Sequence, residues 1–151
     1  MHHELGEAAR RLDEEPLVLI ERFHGHVGPY VVLGYRTGRL AIDRLGVNAF
    51  KMHVEVRAGT RPPKSCYVDG VQLGSGCTLG KGNIAAGDEV TMEARFTSDD
   101  GGHLHVRTRP EVLDRLLPRL DPGDMQRTSE EFISMSDDDL FIISEDRANK
   151  G

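Results

Sequence analysis

The sequence has no tryptophan, three tyrosines and five phenylalanines in 151 residues, so leucine, valine and isoleucine must fill most of any core. Two cysteines in a chain read as cytoplasmic are expected to be reduced, and without a Cys-x-x-Cys pair a self-contained zinc finger is excluded. No apolar run approaches the roughly 20 residues that a membrane span needs. The start, Met1-His2-His3-Glu4, lacks the basic region and apolar run of a secretory signal, and a cytoplasmic protein is expected. A basic excess is missing too: 19 Lys+Arg stand against 25 Asp+Glu, a formal net charge of −6. Nucleic acid and anionic membranes, which need a basic face, are therefore not expected as partners.

What is present suits one globular domain. Counting glycine with the apolar set and leaving out tyrosine, about 47% of the chain is apolar, inside the ordinary range. The acidity belongs to the ends: residues 1–15 sum to −3 and residues 121–151 to −6, which leaves residues 16–120 at +3. A small acidic ligand thus remains compatible with the middle of the chain.

Periodicity predicts a polar helix over residues 5–15 and a second helix opened by Pro16. A third runs from near Pro29 to Leu45, closed by Gly46, with Arg36, Arg39, Asp43 and Arg44 on a wet face. Gly34, Gly38 and Ala41 form a smooth ridge on it that lets another backbone come close. From Met52 the period becomes two, and Val90, Met92, Ala94 and Phe96 repeat it before an Asp99-Asp100-Gly101-Gly102 turn and a returning strand at Leu104 and Val106. Pro110 opens a short helix, Thr128 and Glu131 have capping-box spacing, and Leu140–Ile143 reads as a last strand before a polar tail at 144–151. One apolar and one polar strand face imply an antiparallel sheet covered by helices on one side, an α+β domain over residues 16–143.

Two segments carry chemistry. In Phe23-His24-Gly25-His26-Val27-Gly28-Pro29, two imidazoles one residue apart can converge on a metal or an anion if the link is extended, or else fill a helix corner. The segment from Ser65 to Asn83 holds both cysteines and Gly74, Gly76, Gly80 and Gly82. It fails as a P-loop, because Ser75 stands five before Gly80 and Gly82 follows Lys81. An anion nest with Lys81 as a point charge survives that test. Cys66 and Cys77 are open to three readings: thiolate ligands, a nucleophile with His24 or His26 as base, or small buried residues. His53, His103 and His105 fall on the polar strand face.

Taken together, the two segments resemble the FmdE family, named after a component of molybdenum formylmethanofuran dehydrogenase. His24, His26, Pro29, Gly34, Arg36 and Gly38 are similar to its F-H-G-H-x-C-P-G…G-x-R block. Cys66, Asp69, Gln72, Cys77, Thr78, Gly80, Lys81 and Asn83 are similar to its C-x-x-D-A-x-Q…T-G-C-T-x-G-K-x-N block. The resemblance covers roughly residues 16–108 and implies an α+β core, often a homodimer, without the cysteine-rich zinc module that many members append.

It also implies a cleft between the two segments. His24, His26, Cys66 and Cys77 would be ligands for zinc or another transition metal, and Asp69, Gln72, Lys81 and Asn83 would line the cleft, with Thr78 and Arg36 added as ligand-binding groups. The name links such proteins to one-carbon metabolism and methanogenesis, and an accessory or ligand-handling role is expected rather than turnover. Gly28 stands where the family has a cysteine and Tyr30 where it has a glycine. Either Asp69, water or a substrate group completes the metal site, or the pocket is kept without the metal. A thiolate enzyme and a non-catalytic dimeric module packed through the glycine ridge are the competing readings.

Overall fold

In the computed structural model, residues 15–117 and 119–147 are described. The helix expected over residues 5–15 lies outside them but for Glu15. Pro16 occupies the first turn of α1 (Pro16–His24), and Gly25, at φ +98°, ends it by donating its N–H to the Glu21 carbonyl. A short link leads to α2 (Pro29–Leu45), which begins on Pro29 and stops at Gly46 in the left-handed conformation. Both helices start and stop where proline and glycine punctuate the sequence.

The sheet follows: β1 (Met52–Ala58), β2 (Ile84–Ala86), β3 (Val90–Ser98), β4 (Gly102–Thr108) and β5 (Phe141–Arg147). Its spatial order is β2-β1-β3-β4-β5, antiparallel except for the β1–β2 edge. Between β1 and β2 lies α3 (Cys66–Ser75), and between β4 and β5 lie α4 (Pro110–Asp114), α5 (Pro122–Ser134) and α6 (Asp137–Leu140). Met52, Val54 and Val56 of β1 join Ala94 and Phe96 of β3 and Leu104 and Val106 of β4 in the core, against α2.

Helix α2 is the centre of the molecule and meets α3 backbone to backbone. An ideal Cβ on Gly34 would stand 2.0 Å from the Tyr67 carbonyl oxygen, and one on Gly70 would stand 2.1 Å from that of Val31. Gly38 and Gly74 meet the facing helix in the same way. Two Gly-x-x-x-Gly stripes, one per helix, thus interlock. This corrects the reading of the Gly34/Gly38 ridge as a surface for a partner: α3 of the same chain fills it.

Four more details depart from the sequence reading. Arg36 does not lie on a wet face; its side chain is 15% exposed beneath α5. Helix α5 starts at Pro122, capped by Asp121 Oδ1 accepting from the Asp124 N–H at 2.8 Å, and Thr128 is buried within it. Val90 is 49% exposed, because a register shift at Arg57/Ala58 and Met92 at φ +52° break the alternation of β3. Finally, β5 continues through Ser144–Arg147, where a tail was expected. The Arg147 guanidinium donates to the Arg44 and Leu45 carbonyls at 2.8 and 3.0 Å, tying the strand to the end of α2.

Candidate functional site

The end of α1 places His24 over the first turn of α3, where Asp69 lies. His24 Nδ1 is 2.6 Å from Asp69 Oδ2, with the His24 side chain 10% exposed and that of Asp69 43%. An ionised carboxylate only accepts, so Nδ1 donates and Nε2 is the free ring nitrogen. The His26 ring meets that of His24 edge-on, with centroids 4.9 Å apart. The link through Gly25 is a left-handed helix end and not extended, and the two rings touch each other; the pairing of His24 with Asp69, named as a lining residue, was not foreseen.

Gly28 sits beside this pair. An ideal Cβ there would be 3.2 Å from His26 Cε1, and φ is −142°, so a side chain would project against the imidazole. The N-terminus of α2, with no acid in its first turn, opens on the same junction. By helix geometry the N–H groups of Tyr30 and Val31 lack intrahelical acceptors there. Burial pushes the Tyr30 phenol up, keeping it a donor.

The second segment splits along α3. Cys66 opens this 10-residue helix and Cys77 follows its end, so a helix about 15 Å long separates the two positions and the cysteines do not meet at one centre. Cys66, one turn before Asp69, stays at the His24 end. At the other end the polar side chains hold the loop itself. Asn83 accepts from the Thr78 N–H at 2.9 Å and donates to the Ala49 and Met52 carbonyls at 2.8 and 3.0 Å. Gln72 accepts from the Leu79 N–H at 3.1 Å. The Thr78 hydroxyl accepts from the Lys81 backbone at 3.3 Å, and the Lys81 ammonium lies 5.2 Å from the Phe50 ring centroid.

Arg36 is also engaged. It donates to the Phe132 and Ile133 carbonyls at 2.7 and 3.1 Å and pairs with Asp137 at 2.9 Å. These are last-turn carbonyls of α5 that its own backbone cannot satisfy. The expectation of Arg36 as a ligand-binding charge is therefore replaced by a helix-capping role.

The family model described as "FmdE, Molybdenum formylmethanofuran dehydrogenase operon" matches residues 23–142. The chain belongs to the FmdE family. A solved FmdE-like protein from Syntrophus aciditrophicus, named for tungsten formylmethanofuran dehydrogenase, shares the fold at a TM-score of 0.59 and 21% identity, over 91% of this chain and 73% of that one. A curated relative from Archaeoglobus fulgidus, described as "Probable S-adenosyl-L-methionine-binding protein", is 37% identical over 70 residues. That match spans 45% of this chain and 19% of the relative's length.

Among the described residues, no three His, Cys, Asp or Glu side chains form a group that could hold a metal ion. His24 and His26 are a donor pair, Asp69 is committed to His24 Nδ1, and position 28 offers no side chain. The residues present do not fit a closed resident metal centre.

The thiols are not activated either. Burial pushes the Cys66 thiol up and the Asp69 charge adds to this. Burial likewise raises Cys77, against smaller opposing effects of Ser75 and Lys81. A nucleophilic cysteine needs the opposite shift. Both cysteines are expected to react with iodoacetamide near neutral pH more slowly than a free thiol, Cys77 (0% exposed) only on unfolding. Alkylation of either one faster than free cysteine would restore the thiolate reading.

Proposed function

We propose that this FmdE-type core is an accessory binding protein for a small anionic ligand, of the kind a one-carbon carrier presents, received where α1, α2 and the first turn of α3 meet. The 2.6 Å contact between His24 and Asp69 carries the reading. With Nδ1 held by the carboxylate, Nε2 is the ring atom left to meet a ligand, and Asp69 fixes the orientation of the ring. His26 and the free N–H groups at the start of α2 supply further donors. In this reading the protein works in the cytoplasm as a homodimer and holds or passes on its ligand.

Formate serves as the probe. Titration into the full chain is expected to shift the His24 and His26 imidazole NMR signals saturably, with His24→Ala abolishing the response at His26 and Asp69→Asn abolishing it at both rings. Purified protein is expected to hold well under one zinc per chain after dialysis against a chelator. No saturable shift, or one retained zinc per chain, would overturn the reading.

A second reading, in which the ligand recruits a divalent ion, is favoured by the same carboxylate–imidazole pair, since metal-bound histidines commonly carry such a partner. It predicts zinc retention only when formate is present.

A further inference from the structure

The sheet has a second face. Its outer side carries His53, Glu55 and Arg57 from β1, Glu93, Arg95 and Thr97 from β3, His103, His105 and Arg107 from β4, and Ser144 and Asp146 from β5. The pairing aligns His53, Thr97, His103 and Asp146 in one row across the strands, and Glu55, Arg95, His105 and Ser144 in the next. These two rows line a hollow of 440 Å³, with Ala85 of β2 also in its lining. That volume suits a small molecule. It lies on the opposite side of the sheet from α2 and shares no residue with the His24 junction.

The charges in the hollow are unevenly matched. Glu55 is taken by Arg57 at 2.9 Å. Glu93, 9% exposed, is taken by His105 and by the Thr91 hydroxyl. Burial alone would raise the Glu93 carboxyl, but the His105 and Thr91 hydrogen bonds and the nearby His105 and Arg95 charges outweigh it and hold it below the usual carboxylate range. The centre of the hollow is different. Among the described residues, Arg95, Thr97, His53 and His103 make no side-chain hydrogen bond or ion pair. A guanidinium, a hydroxyl and two imidazoles thus lie adjacent with unused donors. The guanidinium fork matches two oxygens of a carboxylate or phosphate. Asp146, in register with His103, is the acid at the rim that opposes such a ligand.

We propose that this face is a second binding site, for a small oxyanion, in which Arg95 grips two oxygens between His53 and His103 and above Thr97. The ligand is a phosphate- or carboxylate-bearing molecule small enough for the hollow. The site stands independently of the one at His24.

Inorganic phosphate and formate, titrated separately into the full chain, test it and its two oxyanion chemistries. Histidine side-chain and backbone NMR signals are the readout. At least one of the two is expected to shift His53, His103 and Thr97 saturably, with a dissociation constant below about 10 mM. The His24→Ala variant, with the junction site disabled, is expected to keep this response. Arg95→Gln, on an exposed strand position that leaves the core untouched, is expected to weaken it about tenfold or more, and Asp146→Asn to strengthen it.

Absence of saturable shifts with both probes, or unchanged binding by a folded Arg95→Gln variant, would overturn the proposal. So would shifts at His53 and His103 that follow protein concentration without either probe, because that result assigns the face to contact between copies of the chain.

Discussion

Gly34→Ala is expected to destabilise the protein by about 3 kcal/mol, near the upper end of overpacking costs, even though alanine favours a helix by up to about 1 kcal/mol over glycine. The new Cβ would stand 2.0 Å from the Tyr67 carbonyl oxygen, where ordinary contact begins at 3.4 Å. Both atoms are fixed by backbone, so no rotamer change relieves the clash and α2 and α3 must move apart. At this chain length the midpoint is expected to fall by about 6–12 °C, read by thermal and urea unfolding.

The same substitution reaches the site. Asp69 rides on α3 next to Gly70, itself pressed on Val31, so opening the helix pair draws the carboxylate from His24. The formate response at His24 is expected to weaken even in the folded fraction. Gly87→Ala, where a Cβ meets nothing within 4 Å, is the control, with an expected change within about 0.5 kcal/mol. Equal stability of Gly34→Ala and Gly87→Ala would refute the interlocked-glycine account.

Arg36→Ala is expected to cost about 2 kcal/mol, in the range for hydrogen bonds to charged groups. The loss strands two carbonyls at the end of α5, whereas Asp137, with its side chain 41% exposed, returns to water at little cost. Arg36→Lys is expected to recover only part of the loss, because one ammonium cannot reproduce the fork that bonds two carbonyls and a carboxylate. Asp137→Asn is expected to be milder than either. Urea unfolding of the three variants orders these effects. If Arg36→Ala leaves stability unchanged but removes the formate response, Arg36 belongs to the ligand site after all.

The family blocks were legible because they are dense in residues with narrow uses. His24-Gly25-His26 combines two imidazoles with a residue that takes a positive φ, and Gly25 does end α1 in that conformation. The expected meeting of Cys66 and Cys77 does not occur, since the intervening residues form a helix that holds them apart. Gln72 and Asn83, read as lining a cleft, and Thr78, read as a ligand-binding group, make their hydrogen bonds to a loop and its anchor at Ala49 and Met52. Spacing cannot reveal such self-contact, because a polar side chain in a glycine-rich turn is equally able to face a ligand or its own backbone. The second glycine stripe, Gly70 and Gly74, was visible at the same four-residue spacing as Gly34 and Gly38, and pairing the two stripes would have predicted the α2–α3 contact.

By itself the sequence determined part of the local structure: helices opened by Pro16 and Pro29 and closed by Gly25 and Gly46, the period of two in β1 and β4, and an α+β order of elements. These follow from steric and hydrogen-bonding preferences acting within a turn or two of chain. Only the tertiary structure decided partners. His24 meets Asp69 across 45 residues and Arg36 meets Asp137 across 101, contacts set by how α1, α3 and α5 pack around α2. A motif names the groups available for binding; packing decides that His24 keeps a free ring nitrogen while Arg36 is spent on a helix end.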